Sequence, residues 1–172
     1  MRRILLGAVL IVVCFLLQCS VFEYLRIASI ASNLLVIITA TIGFIRGRNE
    51  GMLVGFFCGL LLDIMSGTMI GYFAFIYLLA GYLNGFFKNN FYPENIKLPV
   101  LSILITDFLI NLAIYVSRFL TIGHTSFGYY LLHTIITEMV YTAVCAVVLY
   151  LIILKINQKL ELIEKRSAAK FG

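Results

Sequence analysis

The sequence predicts an all-α integral membrane protein: a compact bundle of six transmembrane helices with both termini on the cytoplasmic side. Three observations predict it. The 172 residues are 62% hydrophobic and only 12% charged, with a mean hydropathy of +1.05. A soluble domain is roughly 45–50% apolar and about 25% charged, and one small globular core cannot hide the excess. The apolar residues fall into six segments that approach the ~20 residues a helix needs to cross the hydrocarbon layer. The basic residues then gather on one side of the layout that those segments impose.

Span one, Ile4–Phe22, follows Arg2 and Arg3. Two arginines before an apolar run also open a secretory signal. No small-x-small cleavage site follows, however, and Gln18 disrupts LLQC as a lipoprotein box, so this segment reads as an uncleaved first helix. Span two is Ile27–Ile45. Span three, Gly51–Ser66, is short. It joins span four, Met69–Phe87, through Ser66-Gly67-Thr68, which has turn chemistry and no charge. Gly51–Phe87 thus reads as a tight helical hairpin, and five spans with a re-entrant third segment is the alternative. The loop KNNFYPENIK leads to span five, Leu98–Ile122, and span six is Phe127–Leu154.

Residues 1–154 form one polytopic membrane domain, and 155–172 form a basic cytoplasmic tail. The tail spaces Ile156, Leu160 and Ile163 along one helical face. It reads as a continuation of the last helix for a few turns before fraying. A solvated helix end is the commoner outcome for such a segment, and docking to a cytoplasmic partner is the alternative.

With six spans and the N-terminus inside, the cytoplasmic segments carry Arg2, Arg3, Arg46, Arg48, Lys88, Lys97, Lys155, Lys159, Lys165, Arg166 and Lys170. The outer segments carry only Arg26 and Arg118. This is the positive-inside pattern. One helix added or lost would scatter it. The net charge of +5 then reflects an inner face that meets anionic lipid, and it argues little for nucleic acid.

Several chemistries lack their vocabulary here. Cys14, Cys19, Cys58 and Cys145 lie in apolar runs without a CxxC pair and read as small buried hydrophobes. His124 and His133 form no helical ligand pair, and there is no HExxH, so no metal site is expected. Ser66 and Ser126 have no His or Asp partners nearby in sequence. No Walker or GxGxxG loop exists. The expectation is a protein without catalytic residues or cofactors.

Two features stand out. Asp63, Asp107 and Glu138 lie within apolar spans, where a charge is costly, from about 2.5 kcal/mol for Asp at a helix centre. Asn111, Tyr141 and Arg118 are candidate partners for the deeper two acids. Polar glue between helices is the favoured reading over an ion or proton relay, which needs a more continuous polar path. The second feature is GMLVGFFCGLLLDIMSGTMIG, in which Gly51, Gly55, Gly59, Asp63, Gly67 and Gly71 recur every fourth residue. Residues four apart share a helix face, and glycines there let another helix backbone approach closely. Asp63 continues that face just before the turn. Its carboxylate is placed to accept N–H groups from Gly67 or from the start of the next helix, as an N-cap does. Gly81 and Gly85 repeat the small-xxx-small device on span four. These glycines form a helix-packing or partner seam.

Gly55, Phe56, Gly59, Leu60, Asp63, Gly71, Gly81, Tyr82 and Gly85 together resemble the signature of the rod shape-determining protein MreD family. Asn33-Leu34-Leu35 resembles that family's start to span two, without its usual proline. The resemblance implies a non-enzymatic bacterial inner-membrane protein of the cell-elongation machinery, with a bundle similar to the S components of energy-coupling-factor transporters. It implies action with MreC, a single-span protein with a large extracytoplasmic domain. Through it the resemblance implies indirect links to MreB filaments, a RodA-type polymerase and a class B penicillin-binding transpeptidase.

The main rival is a substrate-binding S component of a vitamin transporter. It needs an outward pocket with convergent polar groups, for which Glu23, Arg26, Arg118, His124 and Thr125 are a thin supply. It also needs small residues four apart on span one, where Gly7 and Ala8 are adjacent. A proton-coupled transporter using the three acids is the third class.

Overall fold

The structure is a computed structural model that describes residues 2–24, 33–67, 70–90, 97–122 and 136–171. Among these residues the chain forms six α-helices, a short 3-10 turn and no strand. The helices are α1 (Arg2–Tyr24), α2 (Leu34–Arg46), α3 (Arg48–Ser66), α4 (Tyr72–Phe86), α5 (Lys97–Ile122) and α6 (Ile136–Phe171), with the turn at Phe87–Asn90. Arg48–Ser66, Lys97–Ser117 and Glu138–Leu160 are long and apolar enough to cross a membrane, whereas Gly7–Ser20, Leu34–Arg46 and Tyr72–Phe86 are shorter apolar helices.

The centre of the bundle is α2. Every residue from Leu34 to Ile45 is buried, and α2 packs against each of the other five helices. An apolar helix without a polar face is stable only when surrounded, and LLVIITATIGFI has no charged residue to turn outward. Asn33 caps its start, its side chain accepting the Val36 N–H at 3.4 Å. Gln18 of α1 adds a second acceptor for the same helix end, taking the Leu35 N–H at 3.3 Å.

A single residue, Gly47, joins α2 to α3. Its φ of 102° with ψ of −175° lies in a region that is essentially reserved for glycine, which lets the chain reverse without a loop. The helix expected as span three therefore begins at Arg48, three residues before its expected start. At the other end of the hairpin, Gly67 and Gly71 have φ of 61° and 106°, and α4 starts at Tyr72 where the sequence suggests Met69. In α5, Pro99 falls in the first turn, where its missing N–H leaves no helical bond unmade. Of the expected spans two and six, residues 27–32 and 127–135 lie outside the described residues. The last helix runs unbroken to Phe171.

The exterior is apolar in the manner of a membrane protein. Val12 and Leu16 of α1, Leu53 and Phe57 of α3, Phe75 and Leu83 of α4, Ile105 of α5 and Val144 and Val148 of α6 are all exposed. One end of the bundle gathers polar and basic groups. The Arg46 Nε donates to Asn157 Oδ1 of α6 at 2.9 Å, and its guanidinium pairs with Glu50 at 3.2 Å. Lys88 Nζ donates to the Arg46 carbonyl at 2.8 Å, and the Arg48 guanidinium lies 3.9 Å from the centre of the Phe86 ring.

Candidate functional site

The glycine ladder and the acid beyond it form one construction between α3 and α4. These two helices share the most extensive contact in the bundle. A Cβ added at Gly51 would stand 2.6 Å from both the Gly81 carbonyl oxygen and the Gly43 Cα. A Cβ at Gly55 would run into the Tyr77 carbonyl, and one at Gly59 would meet the Phe73 carbonyl and come within 2.5 Å of the Ala74 Cα. From the α4 side, a Cβ at Gly81 would strike the Gly51 carbonyl, and one at Gly85 would strike the Arg48 backbone. The nearest neighbours are backbone atoms at each of these positions, so no side-chain rotation makes room. Closeness of this kind maximises dispersion contact between helices, the force left when lipid replaces water as solvent.

Gly67 and Gly71 stand outside this seam. Nothing lies within 4 Å of a Cβ added at either, and their role is the positive φ of the turn. The seam instead extends the other way. Gly43 on α2 faces Gly81, with 2.6 Å between its added Cβ and the Gly81 carbonyl oxygen. The every-fourth spacing runs back from Gly51 through Gly47 to Gly43, a signal that sequence reasoning passed over.

Asp63 closes the seam. It is 1% exposed. One carboxylate oxygen accepts the backbone N–H groups of Gly71 at 2.9 Å and Ala74 at 3.1 Å, and the other accepts that of Phe73 at 2.9 Å. The donors thus belong to the first turn of α4 and the glycine before it, and Gly67 is not among them. The first N–H groups of any helix lack intrahelical partners, and the helix dipole favours an anion there. Three charge-assisted bonds to one carboxylate account for a buried acid at this place. The Ser66 hydroxyl donates to the Asp63 carbonyl at 3.3 Å.

Asp107 is different. It is 0% exposed, and neither carboxylate oxygen has a hydrogen-bond partner among the described residues. Thr142 of α6 stands beside it outside hydrogen-bond geometry, and Glu138 is nearby with Asn111 next to it. The Asn111 amide donates to the Asp107 backbone carbonyl at 3.1 Å, so it does not serve the carboxylate as expected. The side chain of Arg118 lies outside the described residues. The structure therefore brings Asp107 and Glu138 to the α5–α6 contact and leaves Asp63 at the α3–α4 turn. No group of three or more His, Cys, Asp or Glu comes together among the described residues. His124, Thr125, Ser126 and His133 lie outside them.

Two further polar ties escaped sequence reasoning. The Tyr77 hydroxyl, fully buried, donates to Asn33 Oδ1 at 2.9 Å and links α4 to the cap of α2. Asn84 donates to Thr106 Oγ1 at 2.7 Å and to the Ala80 carbonyl at 2.8 Å, and accepts from Ser102 Oγ at 2.5 Å. Ser102 and Thr106 are four apart on α5 and share a face. That spacing, with a lone Asn in an apolar span, was the available clue. Cys14 and Cys58 are buried, Cys19 and Cys145 are half-buried, and all four are free thiols.

The geometry is that of a packing module whose polar atoms serve the backbone. The family model for the rod shape-determining protein MreD matches residues 1–160. The chain belongs to the MreD family. Neither a curated protein nor a solved structure matches it significantly. MreD is a family of shape-determining proteins and not a known enzyme family, and with the apolar helices it marks this chain as a membrane protein. Within the MreD-like signature, Gly55, Gly59, Gly81 and Gly85 are thus the close-packed positions, Asp63 is the cap on α4, and Gly71 is the turn.

Proposed function

We propose that this protein is a non-enzymatic component of the bacterial cell-elongation complex, embedded in the inner membrane by six spans with both termini cytoplasmic. It supports cell shape and peptidoglycan synthesis through intramembrane contacts with an MreC-like single-span protein. Through that partner it reaches a RodA-type polymerase, a class B penicillin-binding transpeptidase and, indirectly, MreB filaments. Residues 155–172 form its basic cytoplasmic tail, and the basic end of the bundle meets anionic lipid. The observation that carries this reading is the family match over residues 1–160. It favours the shape-determining role over a vitamin-transporter S component.

The geometry supports a partner site away from the glycine seam. The glycine seam is filled by α4 and α2 of the same chain, so a partner helix docks elsewhere on the apolar exterior. The tightly bound α2–α3–α4 unit then acts as a rigid platform.

Gentle purification of the tagged protein from its native membrane, followed by identification of what accompanies it, tests the reading. A single-span protein with an extracytoplasmic domain, together with a wall polymerase or transpeptidase, is expected. ABC-type ATPases with a coupling membrane subunit would overturn it.

A further inference from the structure

The contact between α5 and α6 holds a polar cluster that helix packing does not account for. Asp107 and Asn111 lie one turn apart on α5, and Glu138 and Thr142 lie one turn apart on α6. Residues four apart share a helix face. Thr142 stands against the Asp107 carboxylate and Asn111 against that of Glu138, which is the register of two antiparallel helices. Two carboxylates therefore meet across one contact, each beside a neutral oxygen-bearing side chain.

Nearby donors are committed elsewhere. The Asn111 amide donates to the Asp107 backbone carbonyl at 3.1 Å. The Tyr77 hydroxyl lies in the field of both acids but donates to Asn33 at 2.9 Å. Among the described residues no basic side chain pairs with either acid. Asp107 and Thr142 are both fully buried. Three of their oxygens, the two of the Asp107 carboxylate and the Thr142 hydroxyl, have no hydrogen-bond partner among the described residues. Such oxygens are costly in an apolar helix contact.

Three agents relieve them to different degrees. A proton shared by the two acids makes one O–H···O bond and leaves the Thr142 hydroxyl unserved. A buried water donates twice, but it puts no positive charge between two carboxylates. A metal cation takes lone pairs from all these oxygens at once and cancels charge. The ligands are hard oxygens, which suit calcium or magnesium over zinc or copper. Two carboxylates are balanced by a charge of two, whereas sodium leaves a net charge among apolar helices, where it is expensive. Magnesium demands near-ideal octahedral geometry and keeps several waters, for which the enclosed Asp107 leaves no room. Calcium takes about six to eight oxygens in flexible geometry, with carboxylates counting once or twice. No third acid joins these two among the described residues, so the hydroxyl and amide oxygens extend the set.

We propose that Asp107, Glu138, Thr142 and Asn111 form a binding site for one calcium ion, which ties α5 to α6. Asp107 lies about ten residues past Lys97, or about 15 Å, and the half-buried Glu138 pairs one turn farther along α5. In the proposed topology the ion therefore enters from the extracytoplasmic side. Only this direction of entry rests on that topology.

The test uses the full chain in an uncharged detergent, stripped with a chelator and then given calcium, magnesium or sodium at matched ionic strength. Equilibrium dialysis should find one calcium per chain, with a midpoint of about 0.1–1 mM, the range of extracellular calcium modules. At ten times that midpoint, calcium should raise the melting temperature by about 3 °C or more, well above the effect of magnesium or sodium. Thr142→Val keeps the side-chain shape and should weaken binding several-fold. Asp107→Leu should abolish both binding and shift. Without calcium it melts at or above wild type, and calcium reverses that order, which a merely structural role for Asp107 would not produce. An equal shift with sodium, or a calcium shift that survives in Asp107→Leu, would overturn the proposal. So would the absence of any shift, in favour of a shared proton or a bound water. Should Asp107→Leu fail to fold, the wild-type comparison of cations and Thr142→Val decide. Binding is measured on the isolated chain, so loss of the elongation partners in the pull-down leaves it untouched.

Discussion

The carboxylate of Asp63 holds the backbone N–H of Gly71 at 2.9 Å across the turn between α3 and α4. The same oxygen holds Ala74, and its twin holds Phe73. An acid at the end of one helix thereby serves as the cap of the next. The turn does not depend on solvent to satisfy the first N–H groups of α4, which matters where water is scarce.

Asp63→Ala should therefore cost more than an ordinary cap. Loss of a surface N-cap costs about 0.5–2 kcal/mol; here three bonds to one buried anion are lost together and their donors stay buried, so about 3 kcal/mol is expected. Asp63→Asn keeps one acceptor and should fall between Ala and wild type. Thermal unfolding in a mild detergent, followed by circular dichroism, gives the order. Wild-type melting in the Ala variant would remove the cap from the account.

Close approach makes a second prediction. Gly55→Leu and Gly59→Leu put side chains into the Tyr77 and Phe73 backbones and should open the hairpin, at a cost of more than the ~1–3 kcal/mol typical of overpacking. Gly7, with nothing within 4 Å of an added Cβ, is the control. There Ala should be neutral or stabilise α1 by about 0.8–1 kcal/mol through helix propensity. Equal melting temperatures for Gly59→Leu and Gly7→Ala would show that the seam does not exist.

The Asn84–Thr106 bond is expected to couple α4 to α5 by about 0.6 kcal/mol, the average for interhelical hydrogen bonds in membrane bundles. A double-mutant cycle with Asn84→Ala and Thr106→Ala measures it. Additive losses would mean that the two side chains stabilise the bundle independently.

Asp107 should respond with the opposite sign. Its buried oxygens lack partners among the described residues, so Asp107→Leu removes a desolvation penalty and should leave stability unchanged or raised by about 1 kcal/mol. Cells relying on this variant for rod shape would then report function apart from folding. In liposomes neither wild type nor variant should carry protons; a pH-driven flux lost in Asp107→Leu would favour a transporter.

Much of the fold was legible because membrane solvation restricts the options. Apolar runs of this length must close their backbone bonds internally, so helices followed from composition alone. The four-residue glycine spacing announced a seam because that period places residues on one helical face. The spacing was silent about what fills the seam, and its turn members Gly67 and Gly71 looked like seam members because period alone does not report φ.

Sequence by itself determined that this chain is helical, apolar outside, basic at selected joints, and built around the stretch Gly55–Gly85 that carries the MreD-like signature. Those properties are local or compositional, and each residue carries its own share of them. Tertiary structure alone decided that α4 and α2 occupy the seam, that α2 is the buried centre, and that Asn33 meets Tyr77 and Arg46 meets Asn157. It also separated Asp63, whose carboxylate takes three N–H groups, from Asp107, whose carboxylate takes none among the described residues, though both are acids in apolar helices. The difference lies in which backbone N–H groups come within 3 Å of each carboxylate, and that is fixed only when the helices pack.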